Sequence, residues 1–211
     1  MVVSFAPAQL ARVCGFTSSL SAAVALVLFL ATPWLAVSCQ GETILTQSGL
    51  QIVTGGSTVH PAFDMEAKEL EEELAEGMEE EEDDLAGAWF FGLFGLGLLA
   101  SVALGLLLLR TLELNHAAAL TACSVLAAVI LCGYLLAGFP LENEIEQGIR
   151  EARQEAATDD DPWTGLGLLF VGMIDVSRSG WVIAATVFSL VSVLAGVLAL
   201  LAVRSLPRST T

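Results

Sequence analysis

The chain offers few side chains for redox, metal or nucleophilic chemistry. Its cysteines are Cys14, Cys39, Cys123 and Cys132, and its histidines are His60 and His116. No CxxC pair occurs, which argues against quinone-linked disulfide-forming enzymes. Cys123 and Cys132 fall in one predicted helix, about 13 Å apart at its usual rise, and cannot bond each other. They read as small apolar residues. His60 and His116 are expected on opposite sides of a bilayer, so neither a bis-His haem nor a His-rich metal site is expected. The densest carboxylate group is Glu79-Glu80-Glu81-Glu82-Asp83-Asp84. Such a run is ordinarily a solvated face, and the functional alternatives are loose divalent-cation capture or docking to a basic partner. Calcium needs carboxylates spaced around a turn, and this run lacks that spacing. No nucleophile–base pair or phosphate-cradling loop stands out. The expectation is no catalytic residue, no cofactor and no metal.

The elements around these residues follow from composition. Of 211 residues, 55% are hydrophobic and only 15% charged, yet the net charge is −16. The charge is therefore concentrated, and long stretches hold almost none. This excludes a soluble globular enzyme and a disordered chain. It also speaks against nucleic acid as a partner, since phosphate contacts need Lys and Arg. Crossing a bilayer takes roughly 20 apolar residues as a helix. Four segments qualify: 18–38, 88–109, 117–139 and 181–203. A fifth apolar run, 163–174, is too short to span and reads as interfacial, re-entrant or packed under the loops. The fold class expected is an all-α membrane protein. It has four transmembrane helices, a small antiparallel β meander, and acidic helices in the outer loops.

The spans carry no Asp, Glu, Lys or Arg, which lowers the expectation of a coupled transporter. They do carry small residues four apart. Gly97, Ser101 and Gly105 lie on the second span, Ser192 and Gly196 on the fourth, Ser18 and Ala22 on the first. Such faces let helix backbones approach closely, within one molecule or between copies. Gly97, Ser101, Gly105, Ser192 and Gly196 are the candidate helix-packing residues. Leu98 is expected to point away from that face.

Orientation comes from Lys and Arg. Segments 1–17, 110–116 and 204–211 hold Arg12, Arg110, Arg204 and Arg208 against the single acid Glu113. Segments 39–87 and 140–180 hold 14 and 9 acids. Both termini are expected in the cytoplasm of a multi-pass cell-membrane protein. Trp34, Trp89, Trp163, Trp181 and Tyr134 fall near outer ends, where amphipathic rings anchor. Ala36-Val37-Ser38-Cys39 resembles a lipobox, so a cleaved, lipidated first segment is the alternative to a retained helix.

In the first outer segment, short runs over 35–39, 42–47 and 50–54 are rich in β-branched residues and separated by Gly-containing turns. They predict a three-stranded meander over 35–54, with Leu50, Ile52 and Thr54 on one face. Residues 61–85 switch to helical spacing, with Phe63, Ala67, Leu70, Leu74 and Met78 opposite a nearly all-Glu face. The second outer segment repeats this from Pro140. Leu141, Ile145, Ile149, Ala152 and Ala156 form one stripe, and Glu146 and Arg150 stand at pairing distance.

This order of parts resembles the claudin-type four-helix membrane proteins. The residues that carry the likeness are Pro33-Trp34-Leu35-Ala36-Val37-Ser38 directly after the first span, and Ser48-Gly49-Leu50 where that family has Gly-Leu-Trp. Gln51 follows Leu50 here, and the paired loop cysteines are absent. The Ser38-Cys39-Gln40-Gly41 turn is also similar to one in uncharacterised bacterial four-helix proteins. The resemblance covers roughly residues 30–56 and implies architecture rather than barrier function. Seven Arg to one Lys, with abundant Ala and Leu, fit a bacterial inner membrane. The function expected is structural or interaction-based, through an acidic outer domain. Its partners would be the lipid bilayer and a membrane protein or second copy. The alternative is a cation pore or transporter accessory subunit, motivated by the outer negative charge.

Overall fold

The computed structural model describes residues 6–60, 84–158 and 173–206, with the side chains of 84–88 and 155–158 left aside. In chain order the elements are α1 (Pro7–Ala31), β1 (Pro33–Cys39), β2 (Glu42–Ser48), α2 (Gly49–Thr54) and β3 (Thr58–Val59). There follow α3 (Asp84–Thr111), α4 (Leu114–Ala137), α5 (Pro140–Thr158), β4 (Ile174–Arg178) and α6 (Gly180–Arg204). Within these, four helices are long and apolar enough to cross a membrane.

Those four, α1, α3, α4 and α6, form a closed square. Helix α1 packs on α3 and α6, and α4 packs on the same two. The buried positions alternate at intervals of three and four. On α1 they include Ala11, Gly15, Ser18, Ala22 and Ala25; on α6, Ala185, Ser189, Ser192, Gly196, Ala199 and Val203. On α4 they include Ala117, Leu120, Ser124, Ala127 and Leu131, and on α3, Phe91, Phe94, Leu98, Ser101 and Leu108. An average interval of 3.5 keeps one seam inward and belongs to left-handed bundle packing.

Two helix limits differ from the sequence expectation. The first helix covers 7–31 rather than 18–38. Pro7 opens it, where a missing N–H costs nothing. Pro33 closes it by forcing Thr32 out of the helical region, to φ −107° and ψ 149°. Residues expected as the end of a span, 33–38, are therefore a β-strand. Trp34, expected as an interfacial anchor, is fully buried instead. The strand folds it back over the bundle end, where its indole N–H donates to the Leu28 carbonyl at 3.0 Å. Trp89 and Trp181 are exposed, and Trp163 lies outside the described residues.

The sheet runs β3-β2-β1-β4, all antiparallel. Gln40 and Gly41 join β1 to β2 with φ of 54° and 86°, the two left-handed residues of a type I′ hairpin turn. The expected third strand, 50–54, is helix α2. Ser48 and Gln51 form a capping box, with Gln51 N–H donating to Ser48 Oγ at 3.3 Å and Ser48 N–H to Gln51 Oε1 at 2.8 Å. Gly55 at φ 70° ends the helix. The period-two face of Leu50, Ile52 and Thr54 is thereby overturned. The third strand falls later, at Thr58–Val59, and the fourth comes from the segment between α5 and α6. Its Val176 sits opposite Val37 and its Arg178 opposite Leu35.

The acidic helix expected over 61–85 lies outside the described residues up to 83; Asp84 and residue 85 begin α3. Most of the short apolar run 163–174 lies outside them too, and its last residue, Ile174, opens β4. The amphipathic helix expected from Pro140 is present as α5, and Ile145, Ile149 and Ala152 on its stripe are partly covered.

Candidate functional site

At mid-bundle each of the four long helices contributes one buried serine. Ser18 and Ser192 place their hydroxyls 3.0 Å apart, Ser192 and Ser124 3.0 Å, and Ser124 and Ser101 3.1 Å. Ser101 Oγ donates to the Gly97 carbonyl at 2.8 Å. Ser124 therefore donates to Ser101, and the protons can run one way: Ser18 to Ser192, Ser124, Ser101 and Gly97. The chain links α1, α6, α4 and α3 in turn. Among the described residues, no buried side-chain N or O lacks a partner. Four hydroxyls in an apolar bundle would each be costly alone, and together they satisfy one another.

The candidate packing residues lie in and around this layer. Ser101 and Ser192 are members of it. Gly97 sits against α4: a Cβ there would meet Ala127 Cβ at 3.3 Å and the Cys123 carbonyl at 3.4 Å. Gly105 sits against α1, where a Cβ would meet Ser19 Cβ at 2.6 Å and the Gly15 carbonyl at 2.9 Å. Gly196 faces Thr121 Cα at 3.4 Å. Leu98 does not point away from the packed side; it is 1% exposed in the core. In a square bundle α3 has two neighbours, so positions 97 and 98 are both covered, one facing α4 and one the interior. Ser124, the fourth member, was not singled out by sequence. Its signal was the alternation Ala117, Leu120, Ser124, Ala127, Leu131, which is visible only once all four helices are aligned.

A second assembly closes the sheet end. Phe29, Trp34, Phe91, Phe94, Tyr134 and Phe139 form one aromatic cluster, with Phe91 and Tyr134 centroids 4.8 Å apart and edge-on. Above Phe139 lies the Arg178 guanidinium, 5.7 Å from the ring centroid. Its Nε donates to both Glu142 oxygens at 3.1 and 3.0 Å, and its Nη2 lies 2.9 Å from Glu142 Oε2. Its Nη1 donates to the Leu135 carbonyl at 2.6 Å. Local sequence explains each part. Leu135 is in the last turn of α4, where carbonyls lack helical partners and a cation is favoured. Glu142 is in the first turn of α5 and also accepts the Phe139 N–H at 3.2 Å. One arginine of β4 thus ties together α4, α5 and the sheet. Glu142 stands in the first turn, where a carboxylate favours the helix start; its partner Arg178 was not foreseen, since they are 36 residues apart.

The residues of chemical type are dispersed. His116 Nδ1 is 2.8 Å from Thr111 Oγ1 and 3.7 Å from Glu113. Both partners meet the same ring nitrogen, which precludes a nucleophile–base–acid relay. All four cysteines are free thiols. Among the described residues no three His, Cys, Asp or Glu side chains converge on a metal position. Glu146 and Arg150 approach to 3.9 Å on an exposed face, a contact of little energetic weight.

The fold and these two assemblies define a four-helix bundle closed at one end by a small sheet. Comparison of the chain with family models, with curated proteins and with solved structures finds no match.

Proposed function

We propose that this chain is a non-enzymatic, multi-pass protein of the cell membrane, with both termini cytoplasmic and the sheet outside. One observation carries the membrane reading. Small and hydroxyl side chains fill much of the bundle interior beside buried Phe and Leu, while a second, larger set of bulky apolar side chains faces outward. Leu96, Val129, Ile183 and Leu194 are each more than 60% exposed. Water would penalise such a surface at about 25 cal/mol per Å². Lipid would not, and close packing of small residues is how helices associate there. Arg12, Arg110 and Arg204 gather at the end opposite the sheet, which supports a cytoplasmic position for that end.

The role is structural or interaction-based. The segments after α1 and after α4 each contribute strands to one sheet, and in sequence they also carry the acidic stretches 61–83 and 159–161. A membrane-protein partner or a second copy is the ligand this reading calls for. The claudin-type likeness enters as architecture: a longer outer segment builds most of the sheet. The self-satisfied serine layer supports this reading over a cation pore, which needs hydroxyls or carboxylates turned to a water path.

The test is a cysteine scan in a cysteine-free background. Gly56→Cys should react with an impermeant maleimide on intact cells, and Arg208→Cys only after permeabilisation. The reverse pattern would overturn the orientation, and recovery of the protein in an alkaline wash would overturn the membrane reading. Crosslinking in native membranes then identifies the partner.

A further inference from the structure

The bundle end opposite the sheet carries arginines without a counter-charge. Arg12, Arg110 and Arg204 are exposed, and among the described residues none of the three has a hydrogen bond or ion pair. They stand beside Ala11, Leu108 and Val203 of one buried cluster, which puts all three at the same end. The acid described at that end, Glu113, lies 3.7 Å from His116 instead.

Two of the three flank one seam. Helices α1 and α3 run antiparallel and meet closely here, with Leu108 packed on Gly15 and Ser19 on Gly105. Arg12 lies about 4.5 Å outward of Gly15 along the axis, and Arg110 about 3 Å outward of Leu108. The two arginines therefore stand at nearly one level. Arg204, on α6, is about 9 Å farther out than Arg12, counting from the Ser18–Ser192 contact. One turn toward mid-bundle each of the paired arginines has a bulky apolar neighbour on its own helix face, Phe16 for Arg12 and Leu106 for Arg110. Both are half-exposed.

Both helices thus present the same order: a fork of N–H donors at the rim, then apolar surface. We infer that this seam binds one anionic phospholipid, its phosphate at Arg12 and Arg110 and an acyl chain over Phe16 and Leu106. A guanidinium fork matches phosphate oxygens. Two positive charges with no carboxylate paired to them favour a net negative headgroup over a zwitterionic one. The apolar surface beside them favours a lipid over a free phosphate ester. This rests on the membrane reading above.

The test uses the full chain purified in detergent and given phosphatidylglycerol or phosphatidylcholine of identical chains, with bound lipid read by native mass spectrometry. Phosphatidylglycerol should be retained about tenfold better, the scale of one charge-assisted hydrogen bond. That preference should shrink as ammonium acetate rises from about 0.1 to about 0.5 M. Arg12→Gln combined with Arg110→Gln should bring phosphatidylglycerol down to the phosphatidylcholine level, whereas Arg204→Gln should keep the preference. These side chains are exposed, so the variants should melt like wild type, and the salt series on wild type stands without them. Millimolar glycerol phosphate should leave the lipid bound; displacement would make this a free-phosphate site and refute the lipid assignment. Equal retention of the two lipids by wild type, a preference untouched by salt, or one lost as fully in Arg204→Gln as in the double variant would overturn the site. The alkaline wash separates the two failures: a chain that stays in the membrane but shows no preference refutes the lipid site alone.

Discussion

Ser18 and Ser192 each hold a hydroxyl within reach of the other's backbone. Ser18 Oγ lies 2.9 Å from the Ser192 carbonyl, and Ser192 Oγ lies 3.1 Å from that of Ser18. The first and last long helices thus approach closely enough for a hydroxyl to meet a carbonyl on both sides; each hydroxyl has one proton, so Ser192 donates either to the Ser18 carbonyl or to Ser124, not to both at once. Small residues at Ala11, Gly15, Ser18, Ala22 and Ala25 of α1 and at Ala185, Ser189, Ser192, Gly196 and Ala199 of α6 make the approach possible.

Ser192 and Ser124 each touch two other serines, so the loss of either should cost most within the layer. Ser192→Ala should lower stability by about 0.6–1.7 kcal/mol, the range for hydrogen bonds between membrane helices. A double-mutant cycle with Ser124→Ala in detergent should be non-additive. Strict additivity would mean that the hydroxyls act independently.

The two α3 glycines should differ. Gly105→Ala forces a Cβ against the Gly15 carbonyl and should cost about 1–3 kcal/mol. Gly97→Ala meets neighbours at 3.3–3.4 Å, and the helix propensity gained offsets the crowding. Gly97→Leu should behave like Gly105→Ala. Thermal melts that rank Gly97→Ala below Gly105→Ala would refute this assignment.

Arg178→Ala removes the paired carboxylate contact, the Leu135 bond and the ring contact together. The expected loss is about 1.5–3 kcal/mol, as for hydrogen bonds to charged groups. Arg178→Lys should recover only part, because an ammonium cannot match the forked geometry. Hydrogen exchange at the start of α5 should rise in both variants. Unchanged protection there would separate the arginine from the helix junction.

Gln40 adopts φ 54° in the hairpin turn, a region that costs most residues about 1–2 kcal/mol. Gln40→Asn should stabilise the protein by up to about 1 kcal/mol, since Asn favours this turn. A destabilised variant would indicate that the Gln40 contact with Met173, 3.2 Å from Nε2 to Sδ, outweighs the backbone strain.

The four long helices were legible because apolar length is a strong signal, and the hairpin because Gln40-Gly41 splits two β-branched runs. Other signals were present but outweighed. Ser48-x-x-Gln51 and Gly55 spell a capped helix, yet the β-branched residues between them suggested a strand. Thr32-Pro33 marks the helix end, yet the apolar run continues through it. Strand β4 is short, and only its pairing with β1 defines it. The serine layer was half visible: Ser18, Ser101 and Ser192 stood out through neighbouring small residues. Their convergence with Ser124 is a tertiary fact, fixed by which helices are adjacent.

The serine layer also sets an order of events during synthesis. Its first member is made at residue 18, and two of its three neighbour pairs, Ser18–Ser192 and Ser192–Ser124, close only once residue 192 is made. In the membrane reading proposed above, the small-residue seam of α1 until then has lipid where α6 belongs, and Ser18 lacks its Ser192 partner. An insertion intermediate holding three helices is therefore the form most exposed to membrane quality control. Shortening the chain before α6 should shorten its lifetime more than removing α5 would.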